Sequence, residues 1–168
     1  MIRFLAAFPY GQRQVMSDNF QIERILGIDY GVRRIGIALS DPLKISAQPL
    51  PTIKAEGMEQ VLTELETIIR DKNVTEIVVG MPLNLKGQKS KAAQKVEKFI
   101  QYLKNRFKLP VHCWDERWTS LAAQRTIIAL GKSPSRHKDK IDQISALIIL
   151  QSFLDYQSAN TSKDVELT

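Results

Sequence analysis

The sequence predicts an α/β protein in which a mixed sheet of five short strands is flanked by helices. Two isoleucine-rich runs, Ile25 to Tyr30 and Arg34 to Leu39, sit on either side of Gly31-Val32, which is the signal of an antiparallel hairpin. Further on, a helical stripe and then a short apolar strand follow an extended segment; strand, helix and strand in succession point to a parallel pair in the same sheet. At 168 residues, with 43% hydrophobic and 25% charged residues, the chain fits one globular domain with one core.

The hairpin has a small face. Ile35, Ile37 and Leu39 share one side of the second strand, while Gly36 and Ala38 leave the other side open to a close neighbour. Gln48 to Ile53 carries two prolines and suits a third strand at a sheet edge. Glu59 to Arg70 reads as a helix, because Val61, Leu62, Leu65, Ile68 and Ile69 repeat at i, i+3, i+4 spacing. Glu76 to Gly80 is a buried strand ended by Gly80 and Pro82.

A second helix spans about Lys89 to Arg106, with Ala92, Val96, Phe99, Ile100, Leu103 and Phe107 on its apolar side. Pro110 to Trp114 is the fifth strand, in which Cys113 reads as a small core residue. Thr119 to Leu130 reads as a third helix between an N-cap threonine and Gly131, and Lys132 to Lys140 as a basic loop. The last helix starts near Lys138 or Asp139 and runs to about Tyr156, apolar nearly all round from Ile144 to Leu150. The expected organisation is therefore an unstructured extension over 1–22, one domain over 23–157 and an unstructured tail over 158–168. Met16 is an alternative start for the chain.

The single cysteine, Cys113, forms no internal disulfide and suits a reducing compartment; with no secretory leader, the cytoplasm is the expected location. No apolar run approaches the roughly 20 residues of a membrane helix. The net charge of +6 favours polyanionic partners without choosing among them.

Three acids stand where solubility does not call for them: Asp29 at the end of the first strand, Glu116 after the fifth, and Asp142 early in the last helix. Asp142 shares a helical stripe with Ser145, Ala146, Ile149 and Phe153, so it points at packed structure. Converging carboxylates raise one another's pKa unless a cation lies between them, and hard oxygen ligands suit Mg²⁺ or Mn²⁺. Each acid also has a plain structural reading: a turn former at Asp29, a surface ion pair at Glu116, a favourable helix-dipole position at Asp142. Asp41, Asp115 and Asp139 compete for the same role. His112 and His137 are too scattered for a zinc site, and Ser40 has no histidine at a telling spacing.

Four stretches, in order, resemble the motifs of the YqgF/RuvX family: Ile28 to Pro42 (IDYGVRRIGIALSDP), Val79 to Gly87 (VGMPLNLKG), Asp115 to Ser120 (DERWTS) and Lys140 to Ala146 (KIDQISA). The family comprises Holliday junction resolvase-like nucleases linked to processing of the 5′ end of pre-16S ribosomal RNA. The resemblance implies an RNase H-like fold, a central mixed five-stranded sheet flanked by helices, and places the family's catalytic, metal-binding acids on Asp29, Glu116 and Asp142 with Mg²⁺ or Mn²⁺. Trp118 stands where the family commonly has leucine and Ser145 where alanine is usual; neither change removes an acid.

Phosphates of the substrate are expected at Arg33, Arg34, Lys86, Lys89, Arg117, Lys138 and Lys140. The expected partner is nucleic acid, precursor rRNA or branched DNA, with the protein a monomer or homodimer and no membrane involved. Two alternatives stand beside rRNA processing: resolution of Holliday junctions, and a non-catalytic nucleic-acid-binding role in ribosome assembly or transcription. An ATPase of the actin and sugar-kinase type would need a second similar domain, for which 168 residues leave no room.

Overall fold

The computed structural model describes residues 22–83, 90–116 and 138–165, with side chains of the last segment from 142 to 160. Five strands form one sheet: β1 (Arg24–Tyr30), β2 (Arg34–Ser40), β3 (Ala47–Lys54), β4 (Val74–Met81) and β5 (Val111–Asp115). Their order is β3-β2-β1-β4-β5. β1 to β3 form an antiparallel meander, whereas β4 runs parallel to both β1 and β5. Both parallel steps are made by helices, α1 (Met58–Asp71) between β3 and β4 and α2 (Lys91–Phe107) between β4 and β5. The last helix, α3, spans Lys138–Val165. This is the mixed, helix-flanked sheet of the RNase H-like architecture. Among the described residues, no helix is long and apolar enough to cross a membrane.

The alternation along each strand assigns the two faces. Leu26 and Ile28 of β1, Ile35, Ile37 and Leu39 of β2, and Ile77 and Val79 of β4 pack with Val61 and Leu65 of α1 and with Phe99 and Leu103 of α2 in the larger core cluster. Ile25, Ala38 and Val78 project the other way and meet Ala146, Ile149, Leu150 and Phe153 of α3. Tyr30 stacks on Phe99 with ring centroids 4.4 Å apart, which ties the end of β1 to α2. β3 lies at the sheet edge, where Pro49 and Pro51 leave no ladder donor missing in the interior.

The helix ends follow their sequences. α2 starts at Ser90, whose Oγ accepts from the Ala93 backbone N–H at 3.2 Å, and stops at Lys108 in a left-handed conformation. α1 has no side-chain cap at Gly57, but Glu59 lies in its first turn and Arg106 of α2 reaches across to Glu59 and Glu66. Two sequence expectations are corrected. α3 continues to Val165 rather than ending near Tyr156. Cys113 is exposed, not a core residue, because β5 is the outer strand among those described.

The approach of α3 to the sheet depends on missing side chains. A Cβ on Gly27 would lie 2.6 Å from Leu150 Cβ, and one on Gly36 only 2.0 Å from the backbone oxygen of Asp142. The small face read from Gly36 and Ala38 is thus the groove in which the helix lies.

Candidate metal centre

The candidate site lies on the α3 side of the sheet, where the ends of β1 and β5 meet the beginning of α3. Asp29 is the sixth residue of β1 and pairs with Gly36 of β2, so it shares a sheet face with Ile25 and Gly27. Glu116 directly follows β5, whose Trp114 is paired with Gly80 of β4. A Cβ on Gly80 would sit 2.9 Å from Glu116 Oε1 and 2.4 Å from Ile149 Cδ1, so this glycine makes room for the carboxylate and the helix together. Asp142 stands above Gly36, one turn before Ala146.

The acids sense one another. Burial raises the Asp29 carboxyl to about 6, with the Asp142 charge adding to the rise and a hydrogen bond with the Ser145 side chain opposing it. Burial likewise raises Glu116 to about 7, reinforced by Asp29 and then Asp115. Asp142 turns Oδ2 to Arg34, whose Nε donates to it at 2.8 Å. Two desolvated carboxylates that repel each other, with a third alongside, are the donor set that a hard divalent cation relieves. Among the described residues, however, no three His, Cys, Asp or Glu side chains are gathered tightly enough to hold an ion as they stand. The charge coupling and this geometric result agree if the acids converge without yet closing on a common point.

The described residues include some of the expected site residues and not others. Arg33 is exposed in the β1–β2 turn, and Arg34 opens β2 in its pair with Asp142. Lys86, Lys89 and Arg117 lie outside the described residues, as do the Thr119 to Leu130 helix and residues 132–137 of the basic loop. Lys138 and Lys140 belong to the first turn of α3, and their side chains are likewise outside the described set. Asp41 is no competitor for the metal: its carboxylate accepts from the backbone N–H groups of Leu43, Ile45 and Ser46, bonds that lower its pKa and fold the β2–β3 loop. His112 faces Glu76 at 3.0 Å and takes no part in the acid cluster. Sequence reasoning missed Ser145 as a partner of Asp29 and Gly80 as the gap beside Glu116. The stripe through Asp142 and Ser145 was the signal available for the first.

An ion held by Asp29 and Glu116 would have to displace their protons. Affinity for Mn²⁺ is therefore expected to climb between pH 5 and pH 7, as carboxyls at about 6 and about 7 ionise, and to level off above about pH 8. Mn²⁺ titrations across this range, followed by the paramagnetic signal of the free ion, check it; a profile flat above pH 5 would show that two ordinary carboxylates bind the ion.

Comparison with known proteins gives a consistent grouping. The profile of a family described as "RuvX: Holliday junction resolvase" matches residues 23–156. A protein of Koribacter versatilis named "Putative pre-16S rRNA nuclease" is 43% identical over 132 residues, 79% of this chain and 86% of that one. A protein of the same name from Chloroflexus aurantiacus is 38% identical over 143 residues, covering 85% and 94%. Among solved structures, Thermus thermophilus RuvC bound to a Holliday junction superposes with a TM-score of 0.53 at 12% identity, over 80% of this chain and 96% of that one. At that identity the likeness concerns the fold.

Proposed function

The chain belongs to the RuvX family, and from that premise we propose that it is a divalent-metal-dependent nuclease that hydrolyses phosphodiester bonds at the 5′ end of precursor 16S rRNA. The observation that carries this reading is the gathering of Asp29 and Glu116, both raised first by burial, with the Asp142 charge adding to the rise at Asp29 and the Asp29 charge to that at Glu116, an arrangement that is costly in the metal-free protein and favourable around Mg²⁺ or Mn²⁺. Asp29, Glu116 and Asp142 would hold the ion. When bound, the ion supplies Lewis acidity toward a phosphate oxygen and lowers the pKa of a coordinated water.

The Ser145 side chain, hydrogen-bonded to Asp29, favours its ionised form, and the apolar wall of Ile149 and Ala146 keeps bulk water from one side of the acids. Arg33, exposed in the turn next to the site, supports phosphate docking, with Lys86, Lys89, Arg117, Lys138 and Lys140 as further candidates from the sequence. The protein works in the cytoplasm on this account, where an exposed lone thiol such as Cys113 stays reduced.

Resolution of branched DNA is the second reading, favoured by the family's description. It requires two coordinated cuts and therefore a homodimer, whereas trimming an RNA end does not. Purified protein with Mg²⁺ is expected to shorten precursor 16S rRNA and to leave a four-way DNA junction uncut, as a monomer by solution mass. Symmetric junction cleavage by a dimer would favour the second reading. RNA binding without cleavage, unchanged when all three acids are replaced, would favour a non-catalytic assembly factor.

A further inference from the structure

The pair between Arg34 and Asp142 joins residues 108 positions apart and occupies one of the acids that the proposed metal centre requires. Its geometry is set from both sides. Arg34 and Gly36 project from the same face of β2, two residues apart, and both address Asp142: Gly36 admits its backbone oxygen, and Arg34 Nε takes its carboxylate at 2.8 Å. The Arg34 backbone is held by pairing with Lys54 in β3, next to the bond from the Ala55 N–H to the Arg33 carbonyl at 3.0 Å. Asp29, by contrast, has Ser145 as its hydrogen-bonding partner, and its charge meets that of Asp142.

We propose that Arg34 is an internal counter-ion that occupies Asp142 in the metal-free protein and is displaced from it when a divalent ion binds. The inference rests on the reading of Asp142 as a metal ligand. It accounts for two facts together: the acids converge closely enough to repel, yet no three of the described ligand-type side chains form a ready cage. With the two side chains 32% and 27% exposed, the pair is open to solvent and to an incoming ion, so it is exchangeable rather than a buried lock. The displaced guanidinium stays tethered at the start of β2, beside the site, where a substrate phosphate would next bring negative charge.

The test is Mn²⁺ binding by the full-length protein, without substrate, for the wild type, Arg34→Gln, Arg33→Gln, Asp142→Asn and the Arg34→Gln/Asp142→Asn double variant. Removing the competitor is expected to tighten Mn²⁺ binding about fivefold in Arg34→Gln, the scale of a partly exposed ion pair. Arg33→Gln removes the same charge from the same turn and should change affinity less than about twofold. The gain should vanish when Asp142 is already asparagine. Equal tightening by Arg33→Gln would overturn the proposal in favour of general electrostatics, as would unchanged or weaker binding in Arg34→Gln. If Asp142→Asn binds Mn²⁺ as the wild type does, the ligand reading of Asp142 fails, and the proposal with it. A measurement free of variants guards against misfolding: in nitrogen-15 NMR, the Arg34 Nε–H signal should shift and lose exchange protection as Mg²⁺ saturates. An Nε–H signal indifferent to saturating Mg²⁺ would overturn the proposal directly.

Discussion

Asp29→Asn is expected to lower Mg²⁺-dependent cleavage by at least about a thousandfold and, at pH 8 without metal, to make the protein more stable than the wild type. The two effects share one cause. Burial and the neighbouring Asp142 raise the Asp29 carboxyl from 3.8 to about 6, so the folded state holds its proton more tightly than the unfolded chain. The contribution of such a group to stability is fully present below pH 3.8 and is lost as pH rises through about 6. At pH 8 the ionised group opposes folding by about 2–3 kcal/mol at most, and asparagine, neutral but still polar, should recover about 1–2 kcal/mol of this. For a domain of this size that corresponds to a melting temperature higher by about 2–8 °C. At pH 4 the difference should nearly disappear. A variant less stable than the wild type at pH 8 would mean that Asp29 is satisfied by unmetallated neighbours and is structural.

Gly36→Ala should have the largest effect of any glycine-to-alanine change among the described glycines. The new Cβ would lie 2.0 Å from the Asp142 backbone oxygen, 2.7 Å from its carbonyl carbon and 3.3 Å from Ala146 Cβ. Backbone atoms of a packed helix cannot rotate away, so α3 must lift from the sheet or β2 must bend. The expected cost is about 3 kcal/mol or more, a fall in melting temperature of about 6–12 °C. Lifting α3 also carries Asp142 away from Asp29, so Mn²⁺ affinity should fall with stability. Gly57 is the internal control: a Cβ there meets nothing within 4 Å, and its φ of −177° is open to any residue. Gly57→Ala should change stability by less than about 1 kcal/mol. Equal melting temperatures for the two alanine variants would refute the close-packed groove.

These two residues also show what the sequence made legible. The hairpin, the edge position of β3 and the amphipathic α1 and α2 follow from local periodicity and from glycine and proline placement, which act over a few residues. The small face of β2 carried longer-range information, because Gly36 and Ala38 could only mean that something lies close, and α3 does. What packs there, and in what register, depends on residues more than a hundred positions later. The Arg34 to Asp142 pair was hidden for the same reason. Arg34 looked like a phosphate contact, and its engagement with an acid is a tertiary fact. Cys113 misled because an apolar run does not say whether its strand is central or outer. Asp41 and Asp29 looked alike as acids next to strand ends; only the three backbone donors around Asp41 and the buried neighbours of Asp29 separate a loop former from a candidate ligand.

On the proposed function, Asp29, Glu116 and Asp142 form one metal centre. Anomalous diffraction from crystals soaked in Mn²⁺ at about pH 8, above both Asp29 at about 6 and Glu116 at about 7, tests this arrangement. An anomalous peak is expected within about 2.5 Å of a carboxylate oxygen from each of the three residues, with Arg34 turned away from Asp142. Well-diffracting soaked crystals with no peak between these acids, or with Mn²⁺ held elsewhere, would contradict it.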